Sequence, residues 1–505
     1  GAAAAITAAD RKASVIIVER QPLETLRSNT RLSGGYVHCP DKNGDKKALQ
    51  GYFEALFSAA YDGLPSVGEQ DEISVEMARC WTEITPHLVD WLQGLDPELK
   101  MLKTMGGAQY VNFPGARSCG YAVYRASYRD VVDNKTPTYQ GPKSAATEGE
   151  ALHRALLNGI GARRGIRILD NTRVQELVRD ETGRVTGVRA LRSGREVLIG
   201  AARGVALCCG GYEYSASMRR AFLAGRGVDG WAFYGTPYNE GDGIRMGLEV
   251  GAALTKAGSC AARMILAPPV YAGGMRIGVT TNGIGAPGSI VVNSLGRRFA
   301  NELQITGGIT NNCFYEKAAE QSLATLTYDN LPSWLVLDDE AFHARELANT
   351  TRSTVGYGFV DFKSNQDALA RGWILKADSI EELAREIARL GEHSARMKPE
   401  VLARTVAQFN DDCAAGSDQL FGRARSTLRP VARAPFYAVP LFAGGSNTKG
   451  GLSTTAAREV TDWSGRPIAG LYAAGEISCG LNRGGAMLTD CLVFGIVCGR
   501  EMTRS

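Results

Sequence analysis

Residues 1–18 run from GAAAAITAAD through a polar break into Val15-Ile16-Ile17-Val18, which Glu19 closes. That pattern predicts a small-residue helix followed by a short buried strand. The polar stretch SNTRLSGG, residues 28–35, reads as a glycine-rich loop. Between residues 47 and 102 apolar positions recur at helical spacing, with Trp81, Leu88, Trp91 and Leu92 on a stripe that reads as core. Residues 105–130 follow no period. Tyr110, Tyr121, Tyr124 and Tyr128 mix there with Arg117, Arg125 and Arg129 among glycines, as in an irregular, ligand-facing loop. Residues 149–161 return to a helical pattern. Ile166–Leu169, Thr172–Arg179 and residues 185–191 read as successive strands, the last two joined by a turn at residues 181–184. GVALCCGG, residues 204–211, is a buried strand running into paired glycines, and Asn239-Glu240-Gly241-Asp242-Gly243 opens another helix.

From residue 253 to 440 the texture changes. Strand-like pieces at 289–293 and 334–337 stand beside two helices. Asp378-Ser379, with Glu381 and Glu382 in the first turn, starts one of these helices at 378–390, and Pro399 starts the other at 398–413. Glycine-rich αβ character returns at Gly444. The chain closes with a strand at 471–474, then Gly475-Glu476, a glycine loop and a helix from Ala486. Met487, Leu488, Cys491, Val493, Phe494 and Val497 give that helix a buried face. Strand, glycine loop and helix N-terminus together make an anion cradle. The expected organisation is an α/β domain built from both chain ends, residues 1–252 and 441–505, around an inserted α+β domain of residues 253–440.

A chain of 505 residues, 44% hydrophobic, has material for two or three domains. Its formal net charge of +4, with no basic run interleaved with aromatics, gives no sign of nucleic-acid binding. The 60 glycines exceed the usual share of about 7% and cluster at strand ends, where backbone approaches a ligand closely. The 11 cysteines show no CxxC and no His/Cys ligand spacing, so they read as reduced core residues and no metal is expected. No apolar run reaches about 18 residues, and the first residues do not resemble a signal peptide. A soluble cytoplasmic protein without a membrane span is the expectation; the oligomeric state is not readable.

In a dinucleotide fold, an acid ending the second strand binds ribose hydroxyls, the place Glu19 takes. Of the G-x-G-x-x-G turn that should precede the first helix only the last glycine is present, as Gly1. The expectation is that the first strand precedes the chain as given.

VIIVE, SNTRLSGG, GVALCCGG, NEGDGIRM, NSLGRRFANE, FGR, PFYAV, NTKGGL and GLYAAGE…NRGGAMLTDCLVFG occur in that order. Together they resemble the flavoprotein family of fumarate reductases, succinate dehydrogenase flavoprotein subunits and 3-ketosteroid dehydrogenases, across nearly the whole chain. The resemblance implies a two-dinucleotide-binding, Rossmann-like FAD domain and an α+β cap domain, with non-covalent FAD. It also implies movement of two hydrogens across a carbon–carbon bond next to a carbonyl or carboxyl group. Carried over by position, Gly1 would approach the FAD pyrophosphate and Glu19 its ribose. Asn29, Thr30, Leu32, Ser33 and Gly34 would line the phosphate and flavin side, and Val174 would meet the adenine end. Gly210 and Gly211 would sit near the ribose, Gly475 and Glu476 at the pyrophosphate or ribitol. Ala486, Met487 and Leu488 would meet the pyrimidine edge of the flavin. Arg20, Gly35, Asn239, Asp242 and Gly485 complete the expected cofactor set. The closing helix would place its positive end at the flavin and stabilise the reduced, anionic form by roughly 1–2 kcal/mol.

The chain departs from the fumarate reductases of that family where they clamp a dicarboxylate. After Arg298-Phe299-Ala300-Asn301-Glu302 the position matching their catalytic arginine is Thr306, and their histidine before TxGG is Asn447 here. Of that charged clamp, Arg483 remains. An arginine beside a flavin suits a substrate that keeps a carboxylate. The resulting expectation is an FAD-dependent desaturase that introduces a C=C bond beside a carbonyl in a small or cyclic ketone or keto acid. The α-proton would be abstracted and hydride passed to flavin N5, with an external electron acceptor. Arg483 would bind the oxyanion or carboxylate, and one of Tyr110, Tyr121, Tyr124 and Tyr128 would move the proton. Two alternatives stay open: a fumarate- or tricarballylate-type polycarboxylate reductase or dehydrogenase, and a flavin electron-transfer subunit that needs a partner.

Overall fold

Ala3, Ala4, Ala5, Ile6 and Ala8 bury one side of the opening helix, Ala2–Asp10. Their small side chains let it lie directly on the closing helix, Met487–Glu501, whose glycines face it. A Cβ on Gly499 would stand 2.3 Å from the Ala4 carbonyl oxygen, and one on Gly495 would stand 2.8 Å from Ala3 Cβ. In this way the two chain ends pack backbone to backbone.

The computed structural model describes residues 1–58, 69–108, 110–132, 142–223, 225, 229–261, 263–303, 312–348, 359–481 and 486–504. Arg483, Gly485 and Thr306 lie outside the described residues. The fold is mixed α/β and divides into two units. One comprises residues 1–218, 236–260 and 447–505; the other comprises residues 219–235 and 261–446.

In the first unit Val15–Val18 pairs in parallel with Ile166–Leu169. Val205–Leu207 pairs in parallel with Pro467–Ala473, bringing Leu471 opposite Val205. Thr172–Arg179, Val185–Arg192 and Arg195–Gly200 form an antiparallel meander. Its first turn is closed by Asp180 Oδ1, which accepts the Thr182 and Arg184 N–H groups. Leu254–Cys260, Thr448–Leu452 and Ser478–Cys479 make a small antiparallel sheet.

A further three-stranded sheet orders Tyr36–His38, Ala122–Ser127 and Lys100–Gly106. Here the structure departs from the pattern along the chain. The stretch 105–130 is not wholly irregular, and the helical pattern of 47–102 gives way to a strand at Lys100. Five of the six residues of Ala122–Ser127 are buried. With both faces covered, the strand has no alternation to read.

The second unit is organised on Phe436–Gly445. This strand pairs in parallel with Trp231–Phe233 and antiparallel with Arg263–Leu266, Ser333–Asp338 and Leu375–Ala377. Ser289–Val292 extends the sheet beyond Ser333–Asp338. Ile380–Arg389 and Pro399–Ala415 cover it through Leu383, Ile387, Leu402, Val406 and Phe409, packed with Ile290, Val292, Trp334 and Val336. Ser379 caps the first of these helices as its sequence predicts: Ser379 Oγ accepts the Glu382 N–H at 3.1 Å, and Glu382 reaches back to the Asp378 N–H at 3.2 Å.

Asp338, fully buried at the end of its strand, joins this sheet to the following chain. Arg429 donates to it twice, at 2.7 and 3.1 Å, and the Ala341 N–H donates at 3.0 Å. Burial alone would raise the Asp338 carboxyl, but Arg429 and the Ala341 and Ala432 N–H groups outweigh it and hold it below the usual carboxylate value. A folded-state value below the unfolded one stabilises the protein above the unfolded value, about 3.9, and that stability is lost as pH falls through the folded value. Asp338→Asn should therefore cost about 2–3 kcal/mol at pH 7. The deficit should shrink only in strong acid, read as urea midpoints at pH 7 and at about pH 2; an equal deficit at both would remove the carboxylate's charge from the account.

Candidate active site

Five segments far apart along the chain meet in the first unit around two buried carboxyls, Glu213 and Glu476. Asn29 Nδ2 donates to Glu213 Oε1 and to Glu476 Oε2, each at 3.1 Å. Asn239 Nδ2 donates to Glu213 Oε1 at 2.9 Å, and Thr448 Oγ1 donates to Glu213 Oε2 at 3.1 Å. The Asn29 side chain is held from its other end, since its Oδ1 accepts the Thr236 N–H at 2.7 Å. A Cβ on Gly210 would collide with the Asn239 side chain, the nearest atom at 2.5 Å. One on Gly211 would stand 2.1 Å from Thr448 Oγ1. The paired glycines at the end of Val205–Leu207 are therefore required by the side chains they face. Asn29, Gly210, Gly211, Asn239 and Glu476, each expected from the sequence, meet here. Glu213 and Thr448 join them without having been singled out. A carboxylate two residues past a glycine pair, or a threonine in a strand, has no distinguishing local signal.

The stretch from Ser28 to Gly35, which the sequence reads as a loop, contains a single helical turn, Asn29–Leu32, and is braced by its neighbours. Ser28 Oγ accepts the Arg31 N–H at 3.2 Å, and Ser33 Oγ donates to the Thr30 carbonyl at 2.7 Å while accepting the Gly35 N–H at 3.2 Å. Arg125 Nε donates to the Gly34 carbonyl at 2.9 Å and its guanidinium pairs with Glu148. Gly149 lets the backbone of Thr30 and Ser33 come close: a Cβ there would stand 2.4 Å from the Thr30 carbonyl oxygen. Leu32 is buried beneath the loop.

Glu19 follows Val15–Val18, and its Oε1 accepts the Gln21 N–H at 2.9 Å. Burial raises its pKa. Arg20 instead turns to a surface network, donating to Glu240 at 3.0 Å and lying 3.6 Å from Asp242, which Arg173 also pairs. Val174 lies in the meander opposite Ala190 beside a register shift. Gly1 precedes the opening helix, and a Cβ there would meet Cys208 Cβ at 3.5 Å. Gly475 has φ +88° and faces Cys491. Ala486 precedes the closing helix and is buried, while Met487 and Leu488 are half-buried. In its first turn Thr489 Oγ1 accepts the His38 N–H at 2.9 Å. Asp490 is fully buried, neither oxygen having a hydrogen-bond partner, and burial pushes it up to about 7 against the pull of Arg458, Lys449 and Lys256.

The four tyrosines separate by partner. Tyr128 donates to Asp96 at 2.7 Å, and burial together with that carboxylate raises its pKa. Tyr121 hydrogen-bonds His38 Nδ1 within an aromatic cluster with Tyr52 and Phe53, and burial pushes its hydroxyl well above the ordinary tyrosine value. The Tyr110 N–H donates to the Tyr52 hydroxyl at 3.1 Å. Tyr124 is half-buried, its hydroxyl raised by burial. Among the described residues no group of three or more His, Cys, Asp or Glu is arranged to hold a metal ion. No described helix is long and apolar enough to cross a membrane.

These residues fit FAD. Gly210 and Gly211 make a cradle that a Cβ would fill, and Glu19 is a half-buried carboxyl next to a strand end, an acceptor for hydroxyl donors. Ribityl and ribose hydroxyls supply donors of that kind. The chain belongs to the FAD binding domain family, whose model matches residues 1–488. It is an FAD-dependent oxidoreductase of the fumarate reductase and ketosteroid dehydrogenase family. It is 26% identical over 505 residues to the probable fumarate reductase Ifc3 of Shewanella frigidimarina, covering 98% of this chain and 72% of that protein. It is 28% identical over 388 residues to the 4-oxocyclohexanecarboxylate 2-dehydrogenase of Sinomonas cyclohexanicum, covering 70% and 61%. It spans 49% of an NADH:acrylate oxidoreductase of Vibrio harveyi at 26% identity, with 99% of this chain covered. In fold it resembles the crystal structure of 3-ketosteroid delta1-dehydrogenase from Sterolibacterium denitrificans, with a TM-score of 0.75 at 21% identity over 99% of this chain and 97% of that one.

Proposed function

We propose that the first unit is a Rossmann-like FAD domain and the second an α+β substrate cap domain. In this reading the protein desaturates a carbon–carbon bond next to a carbonyl in a small or cyclic ketone or keto acid. Bound FAD, held without a covalent link, supplies a two-electron, hydride-accepting partner. Asn29, Gly210, Gly211, Asn239, Gly475 and Glu476 hold it, with Glu19 at its ribose. Thr30, Leu32, Ser33, Gly34 and Gly35 line it with Ala486, Met487 and Leu488, and Arg483 binds the substrate's oxyanion or carboxylate.

The observation that carries this reading is Asn447. It is buried where the fumarate reductases have a histidine, and its amide donates to the Thr448 carbonyl at 2.7 Å. An amide neither carries a positive charge for a second carboxylate nor delivers a proton. The similarity to a 4-oxocyclohexanecarboxylate dehydrogenase supports a substrate with one carbonyl and one carboxylate.

In this mechanism the Tyr121–His38 pair handles the α-proton. The proton passes from the substrate carbon to Tyr121 Oη as the phenolic proton passes to His38 Nδ1, so the tyrosine is never left charged in its apolar surroundings. Tyr121→Phe should then lower kcat by about 10²-fold with FAD retained. Tyr128→Phe, which removes a buried bond to Asp96, should cost about 1–2 kcal/mol of stability and leave kcat nearly unchanged. The reverse ranking in steady-state assays would move the proton-transfer role to Tyr128.

The similarity to fumarate reductases along 98% of the chain favours a second reading, reduction of a polycarboxylate. Anaerobic mixing of the FAD-loaded protein with 4-oxocyclohexanecarboxylate, other cyclic ketones, succinate and fumarate separates the two. The proposed function requires a ketone to bleach the flavin band. Turnover confined to the dicarboxylates would defeat it.

A further inference from the structure

Glu213 and Glu476 share one hydrogen-bonded cluster, and its donors can be counted atom by atom. Glu213 Oε1 accepts from Asn29 and Asn239, and Glu476 Oε2 accepts the other Asn29 amide hydrogen. Thr448 Oγ1 accepts the Tyr212 N–H at 3.0 Å, so its hydroxyl hydrogen is free to serve Glu213 Oε2. Three of the four carboxyl oxygens thus have protein donors. The fourth, Glu476 Oε1, has none. It faces the same spot as Glu213 Oε2, since a Cβ on Gly211 would stand 2.5 Å from the first and 2.6 Å from the second, and the two carboxyls lie within hydrogen-bonding reach of each other. Two ionised oxygens do not share such a buried position, while one proton between them satisfies both. The donor count puts that proton on Glu476 Oε1.

We propose that Glu213 keeps Glu476 as a neutral carboxylic acid whose O–H donates to Glu213 Oε2, so that this wall of the FAD site carries one negative charge instead of two. The inference rests on the placement of FAD in the first unit. A dianionic pyrophosphate binds more readily beside a single negative charge than beside two. Burial and the adjoining Glu213 carboxyl push Glu476 well above the ordinary carboxyl range, against the attraction of Lys449 on the neighbouring strand Thr448–Leu452. Around Glu213 the same direction holds by burial, opposed by its hydrogen bonds with Glu476, Asn239 and Asn29.

The test measures FAD affinity of the full chain against pH, with infrared detection of the protonated-carboxyl stretch. In the parent the affinity should stay level through neutral pH, then weaken by about tenfold per pH unit once the shared proton leaves. Glu476→Gln keeps a neutral donor to Glu213, so the alkaline loss and the infrared band should both disappear, whatever the affinity at neutral pH. Glu213→Gln leaves a single carboxyl, so the wall cannot reach two charges and the alkaline loss should disappear in this variant as well. An unchanged alkaline loss in Glu476→Gln, or no protonated-carboxyl band in the parent, overturns the proposal. Should Glu213→Gln not fold, the parent and Glu476→Gln still decide. A parent that takes up no FAD at any pH defeats the FAD placement itself.

Discussion

Gly211→Val is expected to abolish FAD retention. The glycine faces three polar side chains, and even the Cβ of alanine would stand 2.1 Å from Thr448 Oγ1, 2.5 Å from Glu476 Oε1 and 2.6 Å from Glu213 Oε2. None of the three has somewhere to go, because each is buried. Displacing Thr448 breaks its bond to Glu213 and leaves the Tyr212 N–H without its acceptor. Each unsatisfied buried group costs about 1–3 kcal/mol, and the added methyl groups cost about 1–3 kcal/mol more in overpacking. With two such groups these sum to at least about 3 kcal/mol, a loss of FAD affinity of about 10²-fold or more at about 1.4 kcal/mol per factor of ten. The measurement is flavin fluorescence recovered from the protein peak after gel filtration. Gly94→Ala is the control. Nothing lies within 4 Å of a Cβ there, and in the helix Leu88–Leu95 alanine should be neutral or stabilising by up to about 1 kcal/mol. Full flavin content in Gly211→Val would remove the Glu213–Glu476 wall from the FAD site.

The second large effect lies in the other unit. Arg298, in the motif read as RRFANE, donates to Glu302 Oε1 and Oε2 at 3.0 and 2.9 Å and to Asp418 Oδ1 and Oδ2 at 3.1 and 2.9 Å. All three side chains are buried. Asp418 also receives the Arg423 N–H at 3.2 Å, and Glu302 the Val291 N–H at 3.2 Å, so the pair ties an edge strand to a distant loop. Arg298→Ala would strip Asp418 of its guanidinium partner and, among the described residues, leave Glu302 with the Arg423 guanidinium alone, 3.7 Å away. Breaking such a buried cluster from one side costs about 3–5 kcal/mol. A urea denaturation midpoint should fall accordingly, and the variant should lose more stability at pH 7 than at pH 4, where the stranded acids can take up protons. Arg298→Lys should recover part of the loss only, since an ammonium cannot serve two carboxylates with paired bonds. A midpoint within experimental error of the parent would show the cluster to be energetically idle.

Local features were legible because their causes are local. Ser379 caps a helix because its oxygen reaches an N–H three residues on, and Val15–Val18 forms a strand because β-branched residues suit a pleated, partly covered surface. The paired glycines and the run of motifs pointed to a flavin protein by their order. The strand Ala122–Ser127 escaped notice for an equally physical reason. Buried on both faces and set among arginines and glycines, it shows no period of two.

The candidate site divides the same way. The order of the motifs carries a family resemblance that points to an FAD-dependent oxidoreductase, and that resemblance marks Asn29, Gly211 and Glu476 as residues of interest. The partnership among them joins positions 447 residues apart and passes through Glu213, which no window of the chain distinguishes. Whether a carboxyl is charged depends on which groups surround it after folding, and that is set by the pairing of Val205–Leu207 with Pro467–Ala473 and of Leu254–Cys260 with Thr448–Leu452. Residue types and spacing along the chain carry the class of chemistry; the place of a single proton within it comes from strands that meet only in three dimensions.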